Sequence, residues 1–344
     1  MKLIKLSLIF IFFLSVVSYR QVSDQKTKYF HITGETMGTT FSIKYKGDKN
    51  LENEINQELS RVNDELSTYI PTSTISRFNQ SDSGIVVPKT DFYINLIKSY
   101  DIYKIFDGRY DPTIMPLVNY WGFGYTEHKK VEHIDTALIM HLKNLVGMDK
   151  IKIQPIGDDS VFVFKPNKEI QLDFSSIAKG YGVDKIAELI NKEGFENYLV
   201  EIGGEIYAAG INPKGSKWVI GINTPSENAD IADLIEEVEI SGYGLATSGN
   251  YRNYYESNGK KLSHTINPLT GFPERSNLLS ASVIAENCMT ADALATAFMV
   301  SGLEKSESKL QELKNIEVCF IYANENGEFK IFKSPGFDNK KKIK

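Results

Sequence analysis

The chain has 344 residues, 42% hydrophobic and 24% charged, with 25 Gly and 11 Pro. That composition fits a globular protein of one large or two smaller domains and excludes collagen-like, low-complexity and strongly disordered chains. With 39 basic against 44 acidic side chains the net charge is −5, so no basic excess points to nucleic acid. Two cysteines, Cys288 and Cys319, are too few for a disulfide framework or a thiolate metal cluster, and packing is the expected role of both.

Residues 1–18 read as a secretory signal peptide. Lys2 and Lys5 precede an apolar run from Leu6 to Val17, about twelve residues and shorter than the roughly 20 of a membrane span. Val16 and Ser18 would be the small residues before a cut near Tyr19; the alternative is an uncleaved anchor or a buried helix. Removing the segment leaves 37 basic against 44 acidic groups, a net of −7. The expected location is the periplasm or the periplasmic face of the inner membrane.

The rest shows no repeat and no long linker, and residues 29–335 read as one domain. Lys26–Tyr45 predicts a strand broken at Gly34 and Gly38. Asn50–Leu66 predicts a helix with Leu51, Ile55, Leu59, Val62 and Leu66 on one face. Further helices are expected over Phe92–Phe106 and Ile134–Val146, a buried strand over Glu169–Phe174, and a helix over Ile177–Asn191 with Val183, Ile186 and Ile190 inward. Strands dominate Tyr198–Ile222, Thr290–Val300 is helical, and Glu317–Tyr322 and Glu328–Ser334 close the chain as strands. Residues 336–344 form a basic, solvated tail. The class is α+β.

Four segments are over-specified for packing alone. Gly108-Arg109-Tyr110-Asp111-Pro112-Thr113, with Pro116 and Trp121-Gly122-Phe123-Gly124, suits either a fixed loop against a planar ligand or a packing corner. Asp173-Phe174-Ser175-Ser176-Ile177-Ala178-Lys179-Gly180 takes a strand into a helix; free N–H groups there, with Lys179 beside them, make an anion site or simply an N-cap. Asp292 and Thr296 share one helical face at i,i+4, with small alanines between. Two hard oxygen donors suit Mg²⁺, which seldom uses an all-protein cage; a structural acid and a back-bonded threonine are the alternative. Of five histidines, only His264 sits among turn-forming polar residues, as a proton-exchanging group or a turn-bonding one. Ser248 lacks the GxSxG surroundings of a nucleophile elbow.

Taken in order, these blocks resemble the ApbE family, the FAD:protein FMN transferases. The resemblance rests on Thr36-Met37-Gly38-Thr39, Leu66-Ser67-Thr68-Tyr69, Tyr110 to Thr113, Asp173 to Gly180, Gly203-Gly204-Glu205, Thr247 to Tyr251, Ser263-His264 through Pro268, and Ala291-Asp292-Ala293 with Thr296. It covers about Thr33 to Pro335. It implies a Mg²⁺-dependent enzyme with an α+β, tunnelling-fold-like core. Such an enzyme moves FMN from FAD onto a client threonine or serine hydroxyl and releases AMP. Carried over by position, Met37, Tyr69, Arg109, Tyr110, Asp111, Asp173, Lys179 and Ile266 would bind FAD, and Asp292, Thr296 and the main-chain oxygen of Ser176 would hold the metal. His264 would accept the hydroxyl proton. Implied clients are flavin-carrying subunits of sodium-pumping NADH:quinone oxidoreductase and Rnf-type complexes, through which the enzyme would meet the inner membrane. Three departures stand out: Met115 for the glycine before Pro-Leu-Val, Asn267 for a frequent aspartate, and no lipobox cysteine. Two rivals remain open at this level, a Mg²⁺-dependent FAD pyrophosphatase and a non-catalytic FAD-binding protein.

Overall fold

In the computed structural model, residues 28–126, 131, 133–225, 233–250, 254–257, 260–274 and 276–338 are described. The expected signal segment, Tyr251 and residues 339–344 of the tail lie outside them. A hairpin comes first, β1 (Lys28–Thr36) and β2 (Thr39–Gly47), turned by Met37 and Gly38, both at positive φ. The second break expected, at Gly34, is absent. Gly34 stays in β1 because the Phe41 ring lies over it, where a Cβ would meet ring carbons at 2.7 Å.

Helix α1 (Glu52–Leu66) buries Ile55, Leu59, Val62 and Leu66 as their spacing predicts. Three elements the pattern did not signal, α2 (Thr74–Gln80), β3 (Gly84–Pro88) and, after α3 (Asp91–Ile105), α4 (Met115–Tyr120), fill the next stretch. Helix α5 (Thr136–Lys143) follows, and β4 (Lys152–Ile156) and β5 (Ser160–Phe164) pair with β3 in a small antiparallel sheet, order β3-β5-β4.

The segment expected as a strand over Glu169–Phe174 joins no sheet. It makes one parallel bridge, Gln171 to Ile114, and otherwise side chains replace the neighbouring strand. Asn79 donates from Nδ2 to the Leu172 carbonyl at 2.9 Å and accepts the Leu172 N–H at 2.7 Å. The buried Lys165 ammonium caps the Ile170 carbonyl at 2.8 Å. The apolar run was therefore real burial, with its backbone needs met by distant side chains.

The second half begins with α6 (Ala178–Lys192), then β6 (Tyr198–Ile202), β7 (Glu205–Ala209), β8 (Trp218–Asn223), β9 (Leu234–Ile240), β10 (Tyr243–Gly249), β11 (Tyr254–Ser257) and β12 (Lys260–Ser263). It ends with β13 (Leu278–Ala285), α7 (Cys288–Ser301), α8 (Leu303–Leu310), β14 (Glu317–Ala323), β15 (Phe329–Lys333) and α9 (Pro335–Asp338), whose Phe337 is buried in the core where a solvated tail was expected. Eight strands make one antiparallel sheet in the order β1-β2-β6-β7-β10-β13-β14-β15. Its strands alternate between two clusters. Ala246, Val283, Val318 and Phe320 face the α7 side, while Leu245, Ile284, Cys319 and Ile321 face the β8–β9 hairpin. Helix α6 packs Val183, Ile186 and Ile190 against Ile43, Val200 and Ile202. Both cysteines are buried, and they form no disulfide with each other. Among the described residues no helix is long and apolar enough to cross a membrane. The result is α+β, with α7 running along β10, its start against Gly244 and its Thr296 against Ser248.

Candidate active site

The N-terminus of α6 meets the first turns of α7 at backbone distance. A Cβ on Gly180 would stand 2.4 Å from the Cys288 carbonyl and 2.8 Å from Asp292 Cβ, so only glycine allows this approach. The Gly180 N–H donates to Asp292 Oδ2 at 2.9 Å. Lys179, one residue earlier, reaches Glu205 Oε1 at 2.9 Å and Asp292 Oδ1 at 3.8 Å. Gly203, at positive φ between β6 and β7, lies against the Lys179 stem and Thr39.

Two buried carboxylates thus share one lysine, and Glu205 Oε2 is buried without a hydrogen-bond partner. Burial pushes the Asp292 and Glu205 carboxyls up, with Lys179 pulling the other way. Burial also works against the Lys179 charge, but Asp292 and Glu205 outweigh it and hold its pKa above the ordinary lysine range. Two carboxyls face one ammonium in a dry setting, where a further cation would favour their ionised forms. Among the described residues no three His, Cys, Asp or Glu side chains gather as a cage. An oxygen-ligated ion that draws its other ligands from water and substrate fits that donor set.

Thr296 Oγ1 lies 3.2 Å from Ser248 Oγ at the end of β10. Two residues on, Asn250 Oδ1 accepts from Ser263 Oγ at 2.8 Å and Thr265 Oγ1 at 2.7 Å. These bonds flank His264, so β10 physically joins the α7 oxygens to the histidine segment. The half-exposed His264 ring stands edge-on to Phe123, centroids 6.3 Å apart. Beyond it a cavity of about 420 Å³ opens between Trp121, Ile134, Asn267, Thr270, Phe272 and Glu274.

The other expected residues divide. Met37, at the β1–β2 turn, lays its thioether over Gly182, where an added Cβ would meet Met37 Cε at 2.7 Å. Tyr69 is 68% exposed, and burial plus the nearby Asp173 charge raise its phenol pKa. Asp173 is buried and accepts the Ser175 N–H at 2.8 Å and the Ser175 hydroxyl at 3.0 Å, a local turn that orients the start of α6. Ser176 Oγ donates to the Tyr110 hydroxyl at 3.1 Å, and Tyr110 itself is buried. Arg109 is half-buried.

Two of the eight are also tied firmly into the fold. Asp111 accepts from the Thr113 N–H at 2.8 Å, the Thr113 hydroxyl at 2.6 Å and the Met148 N–H at 3.2 Å, and burial pushes its carboxyl up to about 6. Ile266 is buried with Leu117, Trp121 and Ile139. The Trp121 loop proves to be a packing corner: the indole is fully buried and donates to the Gly271 carbonyl at 2.8 Å. Glu205 is a site residue that the sequence alone did not single out. Its only signal was its place after Gly203-Gly204; the partner that makes it matter lies on another element.

Comparison with known proteins gives a consistent result. The ApbE family model matches residues 37–320. The FAD:protein FMN transferase of Vibrio cholerae is 38% identical over 314 residues, 89% of this chain and 91% of that protein. Its counterpart in Haemophilus influenzae is 37% identical, covering 88% and 89%. Among solved structures, the flavin transferase ApbE from Vibrio cholerae superposes with a TM-score of 0.81 at 35% identity, over 91% of this chain and 99% of that one. The apo flavinyl transferase ApbE of Pseudomonas stutzeri gives 0.79 at 34% identity, over 91% and 97%. With its sequence matched along most of its length and the same fold around these residues, this chain belongs to the ApbE family.

Proposed function

We propose that the protein transfers FMN from FAD to a threonine or serine hydroxyl of a client protein and releases AMP. The observation that carries this reading is the Lys179–Asp292–Glu205 cluster, joined through Thr296, Ser248 and Asn250 to the segment bearing His264. A charge-neutralising group and a proton acceptor are what attack on a diphosphate requires. The relatives' shared name, FAD:protein FMN transferase, supports the same chemistry.

In the step, the client oxygen forms a bond to the FMN-side phosphorus while the bond from that phosphorus to the AMP oxygen breaks. The His264 ring takes the hydroxyl proton, and Lys179 offsets charge on the departing AMP. Asp292, Thr296 and the Ser176 carbonyl would hold Mg²⁺, which when bound supplies charge neutralisation at the diphosphate. Tyr69 and Met37 flank the site as apolar, polarisable surfaces for the flavin ring. Clients of this kind are flavin-carrying subunits of sodium-pumping NADH:quinone oxidoreductase and Rnf-type complexes, and the leader-like sequence of residues 1–18 supports a reading in which the enzyme meets them from the periplasmic side.

Incubation with FAD, Mg²⁺ and a threonine-bearing client domain, followed by intact-mass analysis, tests the proposal. An FMN-sized addition to the client is expected. Free FMN and AMP without adduct would make the protein a pyrophosphatase, and intact FAD would leave only binding.

A further inference from the structure

Helices α6 and α7 exchange carboxylates. From α7, Asp292 takes the Gly180 N–H of α6 at 2.9 Å. From α6, Asp184 takes two N–H groups of α7, those of Cys288 and Met289, each at 2.8 Å. Residues 180 and 184 stand one turn apart on one face of α6, and 288 and 292 do the same on α7. All three N–H groups belong to first turns, where the helix offers no carbonyl of its own. Each helix thus satisfies the orphan donors of the other.

Asn287 serves as the N-cap of α7, its side chain accepting the Thr290 N–H at 2.9 Å, and Asp184 takes the two first-turn donors that Asn287 leaves. Because these bonds come from a second helix, they also fix where α7 stands along α6. The α7 start is also pinched from the sheet side: a Cβ on Gly244 would meet Cys288 N at 2.4 Å. Asp292 and Thr296 are carried by this helix, and Lys179 by its neighbour, so the sliding position of one on the other sets their separation.

We propose that Asp184 is a positioning residue for FMN transfer, holding α7 in the register that places Asp292 and Thr296 against Lys179. The proposal rests on the transferase reading above. Loss of such an outer contact commonly costs about 10–100-fold in metal affinity or activity, because misplacement of about 1 Å is enough to slow a positioned reaction.

The test compares wild type, Asp184→Ala, Asp184→Asn and the control Ile190→Val, a buried change at the far end of α6. Mn²⁺ binding is followed by electron paramagnetic resonance, transfer to a client domain by flavin fluorescence over a Mg²⁺ titration, and melting temperature alongside. Asp184→Ala is expected to weaken Mn²⁺ binding and raise half-saturating Mg²⁺ by on the order of tenfold or more. Asp184→Asn, which keeps one acceptor oxygen, should fall between it and wild type; it decides alone if the alanine variant does not fold. Unchanged Mn²⁺ affinity and Mg²⁺ requirement in the folded Asp184 variants would overturn the proposal. So would an equal shift in Ile190→Val, since the effect would then follow stability. Wild type that binds Mn²⁺ yet forms no adduct would sink the transferase reading, leaving the Mn²⁺ arm to judge Asp184.

Discussion

Asp292 and His264 belong to opposite kinds of structure, linked through Thr296, Ser248 and Asn250. Asp292 comes from a helix buried along most of its length, and its oxygens meet a backbone N–H and a lysine from α6. His264 comes from a turn after β12, flanked by Ser263 and Thr265 hydroxyls that both lean on Asn250. The first site is set by backbone contact at glycines, the second by side-chain hydrogen bonds. Charge stabilisation needs fixed dipoles in a dry place, and helix contacts provide that. A proton acceptor needs access for a large client, and a half-exposed turn provides it.

The contrast can be broken at several points. The largest effect is expected for Asp292→Ala, which should reduce transfer to background with the fold retained, seen as lost in-gel client fluorescence with an unchanged circular dichroism spectrum. Full activity in that variant would remove Asp292 from the charge-handling role. His264→Ala should keep FAD binding but slow transfer by on the order of 10²-fold or more, the usual effect of a missing general base. A rate equal to wild type at saturating FAD would reduce the histidine to a turn-bonding residue.

Smaller effects test how each side is held. Burial raises the Asp111 carboxyl from the ordinary 3.8 to about 6 in the folded protein. The folded state therefore binds more protons than the unfolded one between these values, and stability falls as pH rises through the window. By linkage the loss approaches about 3 kcal/mol above pH 6. Urea unfolding of wild type and Asp111→Asn should show curves that converge or diverge by that amount across the window; parallel curves would contradict it. Gly180→Ala should cost about 1–3 kcal/mol as an overpacked helix contact and slow transfer with it. An unchanged melting temperature would mean that α6 and α7 can part freely, against the rigid half of the comparison.

Much of the fold was legible because periodicity is local. Ile55, Leu59 and Val62, and Val183, Ile186 and Ile190, are buried on the faces their spacing requires. The i,i+4 pair Asp292 and Thr296 does lie at one face of a helix beside the α6 start. Less legible were the short α2, α4 and α8, which lack a repeating apolar pattern long enough to stand out. Glu169–Phe174 misled because a hydrophobic run reports burial, whereas a strand also needs a neighbour; Asn79, far off in the chain, took that place. Asp111 and Ile266, which the resemblance places in the FAD site, are also tied into the fold through Met148 and Trp121, partners that the sequence did not signal.

From the sequence alone follow the family resemblance, the α+β class, the helix that carries Asp292 and Thr296, and the hydroxyl-rich start of α6. Those features depend on neighbours within a turn or two. Tertiary structure decided that Glu205 joins Lys179, that Asp184 holds a helix 104 residues away, and that Gly180 meets Asp292 across 112 residues. The reason is physical: a buried charge or an orphan N–H is defined by what surrounds it, and only the packed chain brings those surroundings together.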